Sequence, residues 1–86
     1  MPPTLPSWFK YRQGKAEPAG ENTCRLTAPN QQDAFISIRP AENGRWSAAL
    51  RTTADGPDLA ATAPEFDNPA DAWAAAFELY RREILV

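Results

Sequence analysis

From Asn68 onward the chain carries one amphipathic pattern strong enough to dictate the rest of the fold. Asn68-Pro69-Ala70-Asp71 has the form of a helix start. Proline keeps Asn68 in the extended region an N-cap needs and then supplies a preset first helical position, while Asp71 falls in the electropositive first turn. Trp73, Phe77, Tyr80 and Ile84 follow at i, i+4, i+7 and i+11 with Ala76 beside them, which is one apolar stripe. Glu78 and Arg82 are spaced for an i, i+4 pair on the other side, and Arg81 and Arg82 complement the C-terminal dipole. The pattern predicts a helix over 69–85 whose aromatic stripe must be covered by another element.

That element is written in the middle of the chain. Ala34, Ile36 and Ile38 alternate with Phe35, Ser37 and Arg39, and Trp46, Ala48 and Leu50 alternate with Arg45, Ser47, Ala49 and Arg51. Both segments read as half-buried strands. A two-residue Asn43-Gly44 turn would set Ile38 opposite Ala49 and split the apolar sets between faces. A three-residue loop, Glu42-Asn43-Gly44, with Gly44 left-handed, sets Ile38 opposite Ala48 and Ile36 opposite Leu50 and buries one continuous face. The same reasoning makes Thr53-Ala54-Asp55-Gly56 a four-residue turn, with Leu50 opposite Leu59, Ala48 opposite Ala61, Trp46 opposite Ala63 and Arg51 beside Asp58.

The first third is less regular. Pro2, Pro3 and Pro6 predict an extended N-terminus over 1–6, Ser7–Arg12 reads as a short strand, 14–20 as a flexible loop, and Thr23–Thr27 as a second strand. The expected architecture is therefore α+β in one domain, 1–86: an antiparallel β-meander of three core strands plus one or two N-terminal strands, with one C-terminal α-helix packed on one face.

Composition removes several chemistries. The chain has 86 residues, no histidine and one cysteine, Cys24, so histidine acid/base catalysis, Cys/His zinc sites and a disulfide framework are outside its reach. Asp55, Asp58, Glu65, Asp67 and Asp71 flank turns and a helix start, where local hydrogen bonding accounts for them. No catalytic, cofactor or metal site is expected, and the chain is read as non-enzymatic. No segment is apolar and long enough to cross a bilayer, and Met1–Pro6 lacks the form of a signal peptide, so a cytoplasmic location without membrane association is expected. The Ala- and Arg-rich composition suggests a bacterial genome.

The segment Gly44-Arg45-Trp46-Ser47-Ala48-Ala49-Leu50-Arg51 resembles the second strand of the three-strand-plus-helix DNA-binding domain of the Apetala/ethylene-response-factor family, and of the related arm-binding domains of phage integrases. Ile38-Arg39 stands where that family has an apolar residue followed by a base-contacting arginine. Phe66-Asp67-Asn68-Pro69-Ala70-Asp71-Ala72 is similar to the end of its third strand and the start of its helix. The resemblance covers about 34–77 and implies DNA reading from the outer sheet face, with Arg39 and Arg51 as contact positions and Arg45 on phosphate. Ile36, Ala41, Asn43 and Ala49 depart from the family pattern.

The residues themselves offer two readings of that face. Phe35, Arg39, Arg45 and Arg51 would form a nucleic-acid surface if the arginines fork to phosphates or guanine edges beside a stacking aromatic. Alternatively the face is merely solvated, with Arg51 stacked on Phe35 and paired with Asp58. Charge weighs against nucleic acid: the chain carries −2, and the acids of 34–66 outnumber its three arginines. Trp8-Phe9-Lys10-Tyr11-Arg12 mixes aromatics with bases, suiting either a macromolecular partner or simple burial. The sequence thus favours a protein-interaction module, a monomer or weak homodimer, meeting an unidentified protein partner through a sheet face or edge. A DNA-binding module of the integrase-arm or Apetala type is the alternative.

Overall fold

The hairpin at the centre of the chain sets the frame for everything packed on it. In the computed structural model, which describes residues 3–85, β3 spans Ala34–Pro40 and β4 spans Trp46–Arg51. Ile36 lies opposite Leu50 and Ile38 opposite Ala48, the register that buries a single apolar face. The loop is the three-residue one: Ala41 N donates to Arg45 O at 2.7 Å, and Gly44 has φ of 80°, a conformation that costs a side-chain-bearing residue dearly. Asn43 Oδ1 accepts from Arg45 N at 3.0 Å, which ties the loop to itself.

The next connection departs from expectation. The chain from Thr52 to Leu59 is a run of bends rather than a four-residue turn, and the following strand, β5, is only Ala60–Ala61. Leu50 pairs with Ala60 and Ala49 with Ala61, one residue off the expected register, so Leu59 points away from the core and is 51% exposed. Beyond β5 the ladder slips again. Ala48 N donates to the Thr62 side-chain hydroxyl at 3.0 Å while Thr62 N donates to Ala48 O at 2.8 Å. A side chain thus takes a backbone acceptor's place, and the partner of Trp46 becomes Phe66 instead of Ala63. The slip brings a second aromatic to the end of the sheet, where Trp46 and Phe66 both pack against the core.

The N-terminal third also differs from its reading. Ser7–Tyr11 is a helical turn, α1, and not a strand, whereas Lys15–Gly20 is a strand, β1, and not a loop; Thr23–Thr27 is β2 as expected. Pro3–Pro6 has no regular secondary structure, and Pro6 itself is extended, at φ −62° and ψ 149°; Met1 and Pro2 of the expected extended start lie outside the described residues. The reason for α1 is the pair Trp8 and Phe9. Their rings approach Phe77 with centroids 6.4 and 5.3 Å away, and neighbours on a strand would point to opposite faces. The five strands make an open antiparallel meander in the order β1-β2-β3-β4-β5, whose inner face adds Cys24, Leu26 and Ala34 to the buried set.

Pro69–Glu83 forms α2, capped by Asn68, whose side chain accepts from Asp71 N at 2.9 Å. Ala72, Trp73, Ala76, Phe77, Leu79 and Tyr80 are buried, and the helix packs across β3 and β4. The expected Glu78–Arg82 pair does not form: Arg82 turns to its neighbour Glu83 at 3.3 Å, and Arg81 meets Glu78 at 3.6 Å, an exposed i, i+3 contact worth roughly a few tenths of a kcal/mol.

Phe77→Ala should cost about 3–5 kcal/mol, since a fully buried ring and its cavity are lost together; urea unfolding that moves by less than about 1 kcal/mol would contradict the packing. Gly44 offers a cleaner test, because nothing lies within 4 Å of where its Cβ would be. Gly44→Val should destabilise by about 1–2 kcal/mol through backbone strain alone, while Asn43→Asp, which keeps the acceptor, should leave the unfolding midpoint in place.

Candidate interaction surfaces

The outer face of the sheet brings Arg25, Phe35 and Arg51 into one cross-strand row, since Arg25 lies opposite Phe35 and Phe35 opposite Arg51. Four of the cations of this face and its margin are engaged within the molecule, whereas Lys15, opposite Thr27 at the start of β1 and so on the same face, forms no ion pair among the described residues. Arg39 holds Asp58 in a two-pronged pair at 3.0 and 3.1 Å, and that hydrogen bonding holds its guanidinium still more firmly protonated. Arg45, just ahead of β4, meets Asp67 at 3.5 Å, and Arg25 pairs with Asp33. Arg51 donates to Ala54 O at 2.9 Å. The expected Arg51–Asp58 pair is therefore replaced by Arg39–Asp58, because the long bend brings Asp58 back across the sheet. Ser37 and Ala49, paired at the centre of this face, are 4% and 1% exposed; they do not present a readable surface.

Exposed ion pairs of this kind contribute only about 0.2–1 kcal/mol each, so they do not lock the arginines in place. Their consequence is electrostatic. Each carboxylate cancels the field a phosphate backbone would be drawn to.

The sheet edges are also guarded. β1 carries Lys15, Glu17 and Pro18 and an irregularity between Pro18 and Gly20, and β5 is two residues long. Charge, proline, bulges and brevity each oppose strand addition.

Two surfaces remain. The first is an apolar groove of about 500 Å³ between the N-terminal segment and the first turns of α2, with Leu5 and Pro6 on one wall, Pro69, Ala70, Trp73 and Ala74 on the other, and Asn22 and Ile38 contributing from the sheet. Among the described residues no charged one lines it. Residue spacing gave no sign of it, because Trp73 and Ile38 read equally well as plain core. The second is the outward side of α1 and the turn after it. Lys10, Tyr11 and Arg12 are exposed there, Tyr11 at 91%, and Lys15 is exposed just beyond, where β1 begins on the outer sheet face; among the described residues none of these three cations forms an ion pair. Arg81 sits 5.6 Å above the Trp8 ring alongside.

The interior titratable groups do not extend either surface. Burial pushes the Cys24 thiol up, away from the thiolate a nucleophile needs. Burial chiefly, and the Asp33 charge secondarily, pushes the Tyr80 phenol up. Its hydroxyl has no hydrogen-bond partner among the described residues. Among those residues no three His, Cys, Asp or Glu side chains converge on a metal-sized site, and no helix is long and apolar enough to cross a membrane.

Compared with models of known families, with curated proteins and with solved structures, the chain matches none. The outer-face geometry generates its own test. The double variant Arg39→Ala/Arg51→Ala should leave duplex-DNA affinity where it was, no tighter than the roughly 10⁻⁴–10⁻⁶ M of non-specific DNA binding at physiological salt. A fluorescence-anisotropy titration at physiological salt showing sub-micromolar binding, lost in that variant, would establish the opposite.

Proposed function

We propose that this chain is a non-enzymatic protein-interaction domain that receives an extended, uncharged segment of a partner protein in the groove beside α2. The observation that carries the reading is the contrast between the surfaces: Arg25, Arg39 and Arg45 are paired with the protein's own acids and Arg51 is held on a carbonyl, whereas the groove is apolar and open, with no charged side chain among its described lining residues. Its volume of about 500 Å³ lies within the roughly 300–1,000 Å³ typical of sites that take a compact ligand. Ala70 and Ala74 are exposed on its rim, four residues apart on one helix face, so small side chains leave room for a larger one to reach Trp73. The opposite wall is extended backbone, with Pro6 at φ −62° and ψ 149°. A peptide laid between them meets apolar surface on both sides.

The alternative is a DNA-binding module of the integrase-arm or Apetala type. It draws on the Arg25–Phe35–Arg51 row, which would stack and fork if the paired acids moved aside.

A photo-crosslinking amino acid placed at Ala74 in cells should yield a discrete protein adduct that is absent when the same group is placed at exposed Ala63. Adding Ala70→Glu should reduce the adduct at least tenfold while the melting temperature stays within a few degrees, since an exposed helix position tolerates the change to within about 0.5 kcal/mol. Equal labelling from both positions would end the groove reading.

A further inference from the structure

The groove does not account for the charge distribution, and the second surface does. Of the nine basic residues of the chain, Arg25, Arg39, Arg45, Arg81 and Arg82 are paired with carboxylates and Arg51 is bonded to a carbonyl. The remaining three, Lys10, Arg12 and Lys15, fall within six consecutive positions that contain no acid. This short stretch carries +3, so in a chain of net −2 the rest carries −5. Tyr11, in its middle, is the most exposed large apolar side chain among the described residues.

The surface is also held in place before anything binds. Phe9 and Trp8 anchor the inner side of α1 on α2. The turn that follows is closed by Gln13 N donating to Lys10 O and Gly14 N donating to Phe9 O, both at 2.9 Å, with Gln13 left-handed at φ 60°. A Cβ on Gly14 would collide with the Phe9 ring, so the backbone passes as close to the core as it can. Beside Lys15 a shallow cleft of about 310 Å³ runs to Thr27 and Pro29.

We propose that α1 and its turn into β1 dock an acidic segment of a partner protein, with carboxylates on Lys10, Arg12 and Lys15 and an apolar side chain against Tyr11. The charge pattern selects peptide over nucleic acid. Lys10 and Lys15 are five residues apart across a helical end and a closed turn, so they lie well within the roughly 18 Å that five extended residues would reach, and a short peptide spans them. A polynucleotide runs on past so short a patch onto a surface of opposite preference, and about three phosphate contacts give little affinity at physiological salt. The proposal rests on the protein-partner reading but uses a different face, so its titration and the groove crosslink succeed or fail separately.

The probe is a capped ten-residue peptide of eight Glu flanking two Leu, titrated into the ¹⁵N-labelled full chain at 150 mM salt, with ten-nucleotide oligouridylate and oligothymidylate as competitors for the claim. Saturable amide shifts should be confined to residues 8–15 and the Trp8 indole, and the peptide should bind at least tenfold tighter than either oligonucleotide. Lys10→Glu/Lys15→Glu, two exposed changes, should weaken it at least tenfold at an unchanged melting temperature. Tyr11→Ala should weaken it several-fold, and Arg45→Ala less than twofold. Oligonucleotide binding equal to or tighter than the peptide's, insensitivity to the double variant, or no shift at millimolar peptide would each overturn the proposal.

Discussion

Phe77 is the contact on which the layers of this protein depend. It projects from α2 onto the inner face of the sheet and meets Phe9 and Trp8 from α1, so one ring joins the sheet, the long helix and the N-terminal turn. An 86-residue chain hides only about 60–65% of its unfolded surface, and aromatic contacts with tilted or edge-on geometry contribute most per residue. Phe9, Phe77 and Tyr80 are all fully or almost fully buried. With that cluster in place, α1 has a reason to be helical and the N-terminal segment a reason to lie along α2.

How far the sequence discloses this depends on whether the deciding group is local. The β3–β4 register is legible because a wrong loop turns every side chain over, and Gly44 supplies the backbone the right loop needs. The helix is legible because Asn68 and Pro69 act within one turn. The β4–β5 register is not, since the Thr62 hydroxyl stands in for a carbonyl, a substitution no alternation of apolar residues records. Nor is α1: five residues fit a period of two as readily as one of 3.6, and Phe77 decides between them from almost seventy positions away. Among the outer-face residues, the membership of Phe35, Arg39 and Arg51 is readable from alternation. Their partners are not, because Asp58 and Asp67 come from the far side of an irregular loop.

The acids of the second half act in this light as internal counterions. Asp58 and Asp67 lie in the segments that lead into and out of β5, and each reaches back to an arginine one or two strands away. Those pairs lower the positive charge of the sheet face, and its centre is occupied by Ser37 and Ala49, too small and too buried to contact anything large. Bases without a carboxylate partner among the described residues are left in the stretch from Lys10 to Lys15, whose last member opens β1 on that same face.

That stretch and the groove belong to the same piece of chain. Residues 3–6 form a wall of the groove, Trp8 and Phe9 hold the segment to α2, and Lys10, Tyr11, Arg12, Gln13 and Lys15 are exposed. Binding costs conformational entropy wherever the receiving surface must first be ordered. Here the aromatic anchors lie between the two surfaces, so the ordering free energy is met once, in folding, and serves both. If both proposed contacts are made, a partner with an uncharged extended stretch followed by an acidic one would meet the two surfaces in sequence along a single preorganised segment, and the second contact would then have the advantage of an intramolecular one.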